Sequence, residues 1–506
     1  MKINKLWGSR FHREPPRRII EFLSGRDVEG VSPSDQELIQ YDIWGSKAHA
    51  IMLHRQGIIS EDDLRVILRG LGEIEGLSLQ GKFVLDPSRE DVHSNVEGFL
   101  IDRYGMESAG KLHTARSRND QITLDMRLYM RGQVFDFIGE LHGLIGAFLE
   151  KAQGNLDTVM PGFTHHQHAM VTTFAHVLLS FAEPLERDIW RFIHWYRLFN
   201  KNPLGGVAGY GSSFPLDREL TSRLLAFDMC HENSLDPITN RWEPELELAH
   251  AIGTTMNHLS TGAQSFILMS TPEFDMVKLD DAHCSGSSIM PQKRNPGALE
   301  VIKAKASVAQ GILSALLSLG KSSFIGYNRD SQWTKYLIMD LVRECKPALG
   351  VMTEVVELLR VNREAMLQQC QRGFIGATAL LEELVQRFKV PFRQAKVLME
   401  KAVKYSEDKG ADMVTLEGFR KALKETDLDL EMSGEELLAG QDPIRIVSRK
   451  GLKGGPSAEA VKAQVDGMRE RLRESRRWCE AGLGRIEEAK KEVQRIEKSL
   501  GISEKA

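Results

Sequence analysis

Between Gly286 and Pro296 the chain reads Gly-Ser-Ser-Ile-Met-Pro-Gln-Lys-Arg-Asn-Pro. The stretch offers two hydroxyls, Ser287 and Ser288, two side-chain amides, Gln292 and Asn295, and the ammonium of Lys293. Donors and a cation grouped this tightly suit a ligand that carries carboxylates. Upstream, Asp280 to Ser285 is polar; downstream, from Gly297, a long helical pattern begins. A Gly- and Ser-containing loop that runs into a helix can move over a ligand while the helix holds its place. The same residue types also make ordinary helix-entry caps, so this stretch alone leaves both readings open.

Three more polar stretches carry chemistry. Thr114 to Gln121 contains Arg116 and Arg118 at the entry to a helical pattern. A guanidinium fork beside a helix N-terminus binds carboxylates, although surface arginines in a capping segment look alike in sequence. Met160 to His168 contains His165, His166 and His168. No spaced cysteine or carboxylate set accompanies them, so no metal site is expected. A histidine there can move a proton or simply cap a helix. Tyr327 to Lys335 is polar and aromatic, suited to holding a variable part of a substrate, and equally readable as a helix-entry turn.

The elements that must position these stretches are helices. From 114 to 370 strand signals are sparse and apolar residues recur at helical spacing. Helices are predicted for Ile122 to Ala152, Val171 to Phe199, Glu243 to Met269, Ala298 to Leu319 and Gln332 to Leu359, with Pro184 a kink rather than an end. The first would extend roughly 45 Å at about 1.5 Å per residue. Five such helices make a bundle. Phe135, Phe137, Ile138, Leu141, Leu144, Ile145 and Phe148 cover more than one face of the first helix, as in a helix that neighbours bury. An oligomer with a helical core is therefore expected.

Residues 1–113 read as a domain of mixed short helices. Trp7 to Phe11 is expected to be extended, Asp35 to Arg55 helical, Ser60 an N-cap with acidic residues behind it, and Glu90 to Glu97 a further helix start. Residues 371–506 read as a smaller helical domain. Thr415 opens a short helix, Gly451 to Pro456 is a loop, and 457–500 is a charged helical tail whose arginines form a solvated face.

Composition sets bounds. The 506 residues are 42% hydrophobic and 27% charged, with a net charge of −4, which leaves no electrostatic footprint for nucleic acid. Five scattered cysteines form no C-x-x-C pair, against zinc ribbons and a disulfide framework, and fit a reducing cytoplasm. The first residues lack the apolar run of a signal peptide, and no stretch is expected to span a bilayer.

Taken in order, the polar stretches resemble the fumarase/aspartase superfamily and, within it, the argininosuccinate lyases. The likeness rests on Trp7-Gly8-Ser9-Arg10-Phe11, Asp42-Ile43-Trp44-Gly45-Ser46-Lys47-Ala48, Arg116 to Gln121, Pro161 to His165 and above all Gly286 to Pro296. The resemblance implies an all-α, three-domain fold divided at about 113 and 370, a homotetramer whose active sites are shared by three subunits, and no metal or organic cofactor. It implies a carbon–nitrogen lyase that reversibly eliminates fumarate from an N-substituted aspartate, a small-molecule substrate.

By the same resemblance Ser287 is the general base, assisted by Lys293 and loop amides. His165, paired with Glu300, assists proton transfer to the leaving nitrogen. Lys293 and Asn295 bind the succinyl carboxylates, with Arg118, Asn119, Thr164 and Ser288 as partners. Tyr327, Gln332 and Lys335 contact the other half of the substrate; Asp35 contacts an amine there, and His93 lines the site.

Two departures bear on the substrate. The family usually reads Leu-Gln-Arg-Ala-Gln-Pro after the threonine-histidine, where this chain has His166 to Val171. It usually reads Gln-Glu-Asp-Lys-Glu where this chain has Gln332-Trp333-Thr334-Lys335-Tyr336. The fumarate half is spared and the amine half is altered. Two alternatives stand beside argininosuccinate lyase activity: a sister lyase acting on an ethylenediamine-disuccinate-type aminocarboxylic acid, and a non-enzymatic, crystallin-like homologue.

Overall fold

The computed structural model describes residues 16–24, 33–321 and 323–502. The extended reading of Trp7 to Phe11 lies outside them. The chain is helical, with three two-stranded sheets among the described residues, and the all-α expectation holds.

Five long helices form the bundle: Arg118–Gln153, Phe174–Phe199, Trp242–Met269, Gly297–Leu319 and Trp333–Leu358. The first begins four residues earlier than its apolar pattern, because Ser117 caps it. The Ser117 hydroxyl accepts from the Asn119 amide at 3.3 Å, and the Asp120 carboxylate accepts from the Ser117 amide at 2.9 Å. That reciprocal box satisfies donors that a helix start otherwise strands. Pro184 and Pro347 both lie inside their helices. The interior is aromatic: Phe137 stacks on Phe192 at 5.2 Å, and Phe148 lies against Phe181 and Phe266. Each such ring buries a large apolar area.

The Gly297–Leu319 helix corrects one expectation. It is long and apolar enough to cross a membrane by composition, with a mean hydropathy of 1.2 over its best window, yet only 22% of that window is buried. Lys305 on it pairs with Glu344 at 2.8 Å, and Val308 and Leu317 are exposed.

The second polar stretch is not a helix entry. Val159–Thr164 and Gln167–Thr173 pair as an antiparallel hairpin, so the next helix starts at Phe174, not at Val171. Val171, Thr172 and Thr173 are β-branched and favour the strand. The ladder slips between Pro161 and Phe163, where a side chain on Gly162 would sit 3.0 Å from the Met170 carbonyl oxygen.

Before the bundle, the Ile39–Arg55 and Glu61–Leu79 helices pack together, the latter capped by Ser60 and Asp63. The Val92–Tyr104 helix follows, capped by Asp91. After the bundle, Leu380, Leu384, Leu398, Met399 and Phe419 build a small core of their own. The charged tail, Ala458–Ser499, lies back along the bundle. Trp478 stacks on Phe135 at 5.7 Å, and the tail comes so close that a side chain on Gly482 would strike the Phe135 ring at 2.7 Å. Its basic run is paired rather than simply solvated: Arg469 meets Glu150 at 2.7 Å and Arg471 meets Glu186 at 2.5 Å.

Candidate active site

The first and fourth polar stretches meet at one carboxylate. Arg118 Nη1 lies 3.4 Å from Glu90 Oε2 and 3.4 Å from Asp91 Oδ2, while Arg329 Nη2 lies 3.4 Å from Glu90 Oε1. Glu90 has a φ of 69°, a left-handed conformation that non-glycine residues seldom adopt. All three side chains of this bridge are exposed, so its charges remain open to a solute. The helix start beneath Arg118 is fixed. Asp120, fully buried, accepts from the Gly205 and Val207 amides at 3.1 and 2.8 Å. Burial still pushes its carboxyl up to about 6, against those hydrogen bonds.

Asp35 joins the same region to the helix that follows Glu90. One of its oxygens accepts from the Val92 amide at 3.1 Å and the other takes the buried Lys335 ammonium. Lys335 also faces the Tyr336 ring at 4.8 Å, and Tyr336 packs edge-on against Trp333 at 5.6 Å. The Tyr327 hydroxyl reaches Gln332 Oε1 at 3.4 Å. His93, one residue past Val92, is buried, with Nδ1 2.8 Å from Asp42 Oδ1. The structure thus gathers Asp35, His93, Arg118, Tyr327, Gln332 and Lys335 at the junction of the N-terminal helices with two bundle helices.

The loop from Gly286 to Pro296 is closed at its base. Ser285 and Asn295 exchange two backbone hydrogen bonds of 2.9 and 2.7 Å, and the Asn295 amide donates to the Gly286 carbonyl at 3.1 Å. Inside the loop the Ile289 and Met290 amides donate to Ser287 Oγ at 3.3 and 3.0 Å. Two aimed N–H dipoles are the arrangement that favours negative charge on an oxygen. Ser288 and Lys293 are exposed, as is Glu300 in the first turn of the following helix.

Thr164 and His165 sit on the exposed tip of the hairpin, where Thr164 pairs with Gln167 across a two-residue turn. His165 and His166 have φ of 52° and 61°, the geometry of a tight hairpin turn. Phe163 anchors the strand below against Phe274 at 5.8 Å. Among the described residues, no hydrogen bond or ion pair within one chain links the hairpin tip, the Ser287 loop and the Arg118 region.

Sequence reasoning assigned no role to Glu90, Arg329, Asp42 or Asp125. Glu90 and Arg329 lay inside stretches already marked as polar, and the signal that joins them is opposite charge. Asp125 sits among Leu124, Met126 and Leu128 on a buried helix, and an acid in that setting was the available clue.

The profile of a family described as lyases matches residues 30–311. The chain is 38% identical over 467 residues to the argininosuccinate lyase of Acetivibrio thermocellus, covering 91% of this chain and 98% of that one. It is also 38% identical over 470 residues to the argininosuccinate lyase of Heliobacterium mobile, covering 92% and 99%. Among solved structures it is similar to an EDDS lyase in complex with formate, at a TM-score of 0.86 and 28% identity over 96% of both chains. A class II fumarase from Schistosoma mansoni shares the fold, at a TM-score of 0.68 and 17% identity over 86% of this chain and 95% of that one.

Proposed function

Because the chain belongs to the lyase family that includes the argininosuccinate lyases, we propose that it reversibly splits argininosuccinate into arginine and fumarate. The carrying observation is the near full-length likeness to argininosuccinate lyases, which exceeds the likeness to the EDDS lyase. It is a carbon–nitrogen lyase, and the reading assigns roles to its residues as follows.

Elimination needs a proton removed from the carbon next to a carboxylate, which places extra negative charge on that carboxylate. Ser287 takes the proton. A serine hydroxyl is a poor base by its own pKa, and the Ile289 and Met290 amides, with Lys293 close in sequence, favour its alkoxide. Lys293, Asn295, Arg118, Asn119, Thr164 and Ser288 hold the carboxylates and the developing charge. His165, assisted by Glu300, delivers a proton to the nitrogen as the carbon–nitrogen bond breaks. Asp35, His93, Tyr327, Gln332 and Lys335 hold the amine half.

These groups come from three separate places on one chain, so the site is completed by other copies in a homotetramer. The apolar, largely uncovered face of the Gly297–Leu319 helix supports that assembly, since exposed apolar area of this extent favours association. The cysteines, free and mostly buried, fit a cytoplasmic enzyme.

One observation favours a second reading. Trp333 and Tyr336 form an aromatic pair beside Lys335, and a cleft altered there would accept a different amine, as in a lyase for ethylenediamine-disuccinate-type substrates. A fumarate absorbance assay with both substrates decides. Release from argininosuccinate supports the first reading; release only from the second substrate replaces arginine as the product; release from neither removes both substrates.

A further inference from the structure

The loop that carries Ser287 is tied to the body of the protein by a residue that the reaction as described does not use. The hydrogen bonds of Ser287 and Asn295 stay within the loop and its stem. Arg294, between Lys293 and Asn295, reaches outside it. Its Nη1 lies 2.5 Å from Asp281 Oδ1. Its Nη2 donates to the Leu279 carbonyl at 2.8 Å and lies 4.0 Å from Cys284 Sγ.

The receiving side is fixed. Leu279, Ala282, His283 and Cys284 are buried. Asp280 caps the short turn Asp281–His283 by accepting from the Ala282 amide at 3.0 Å, and that turn presents Asp281. The Asp281 side chain is itself only 13% exposed. A guanidinium can serve a carboxylate and a carbonyl at once, because its donors form a rigid fork; an ammonium is a single point charge.

The place of this tie in the loop gives it a role. Ser287 stands on the outgoing limb, two residues past Ser285, and Lys293 on the return limb, two residues before Asn295. The Ser285–Asn295 backbone pair joins the limbs at the stem. Arg294 then fastens the return limb to the chain that leads into the outgoing one. This cross-tie constrains where Lys293 and the Ile289 and Met290 amides stand relative to Ser287. An ion pair as exposed as that of Arg294 adds little to the stability of a whole fold. A surface loop opens locally at a small free-energy cost, so the same tie weighs far more on the loop.

We propose that Arg294 is a positioning residue for the lyase reaction. It clamps the return limb to Asp281 and to the Leu279 carbonyl, and so holds the groups that favour the Ser287 alkoxide. The inference rests on the lyase reading and on Ser287 as its base.

The test uses variants of the full chain, read by fumarate release from whichever of the two substrates the wild type turns over. A small misplacement of reacting groups costs up to about a hundredfold in rate. Arg294→Gln is therefore expected to lower kcat by about tenfold to a hundredfold with the thermal midpoint little changed. In the same variant the Ile289 and Met290 amides should exchange their hydrogens faster, which ties the loss to the loop. Arg294→Lys keeps a charge opposite Asp281 and is expected to recover part of the turnover. Full turnover in Arg294→Gln, a lowered thermal midpoint as its sole effect, unchanged loop exchange, or a lysine variant no better than the glutamine one would each overturn the inference. If Arg294→Gln does not fold, Asp281→Asn removes the other side of the clamp and decides by the same measurements. A wild type that releases fumarate from neither substrate removes both substrates and this inference with them. An active wild type with unimpaired variants removes only the clamp.

Discussion

Single residues carry the reaction, and the sharpest expectation falls on Ser287. Its hydroxyl receives two loop amides and contributes little buried packing. Ser287→Ala should keep the circular dichroism spectrum and thermal midpoint while kcat falls by about a hundredfold to ten-thousandfold; retained turnover would take Ser287 out of the base role. Glu90 is a different case. It bridges two arginines through exposed contacts of 3.4 Å, which are each worth at most about 1 kcal/mol. Glu90→Gln should therefore change KM by about fivefold or less and leave kcat nearly intact, as steady-state assays would show. The four polar stretches were legible from residue type and order, because they stand out in a helical chain, whereas the roles within them, and Asp35, His93 and Glu300 outside them, came only from the family resemblance. Asp42 and Asp125 were not, because each lies in an apolar helical pattern and only the fold brings them to His93.

Elements decide where those residues point. The long helices were readable to within a few residues because apolar spacing persists over many turns. The hairpin was missed for a physical reason. Its turn lacks the Asn-Gly or Asp-Gly pair that announces a tight turn, and puts His165 and His166 into the left-handed region instead. That conformation costs a non-glycine residue about 1 kcal/mol or more. His166→Gly should thus raise stability by up to about 1 kcal/mol, seen as a higher urea midpoint; a lower midpoint would show that His166 makes a contact worth more than its strain. The capping box at Ser117 predicts the opposite sign. Ser117→Ala should cost about 1 kcal/mol and raise KM more than it lowers kcat, since Arg118 and Asn119 ride on that turn.

The whole molecule responds to acid through enclosed histidines. His49 donates to the Thr114 carbonyl at 2.9 Å, and burial, then the Arg116 charge, holds it down to about 3. Unfolded, it takes a proton near 6.5. Below that pH the folded chain binds fewer protons than the unfolded one, so stability is lost as pH falls from 6.5 toward 3. The slope for this one group is about 1.4 kcal/mol per pH unit. His142 and His231, each held down to about 4 chiefly by burial, act in the same direction. Asp120, pushed up to about 6, and Glu245, pushed up to about 7, both chiefly by burial, act the other way over the same range. The test is therefore a comparison: between about pH 7 and pH 5 the urea midpoint of His49→Gln should lose less, or gain more, than that of the unaltered chain, and an equal change would mean His49 is reached by water.

The tail helix carries one more consequence. Its end supplies Glu497 to the nearly enclosed Lys47 at 2.9 Å and the Leu500 carbonyl to Arg65, while Arg485 holds Asp228 at 2.8 Å. Lys47 and Arg65 are synthesised long before Glu497. Folding that otherwise proceeds from the N-terminus as synthesis runs therefore completes the opening helices only once this segment has been made. A chain halted before this segment would leave Lys47 with Glu75 alone, at 2.6 Å, and Arg65 without the Leu500 carbonyl, whatever the maturity of the bundle already made.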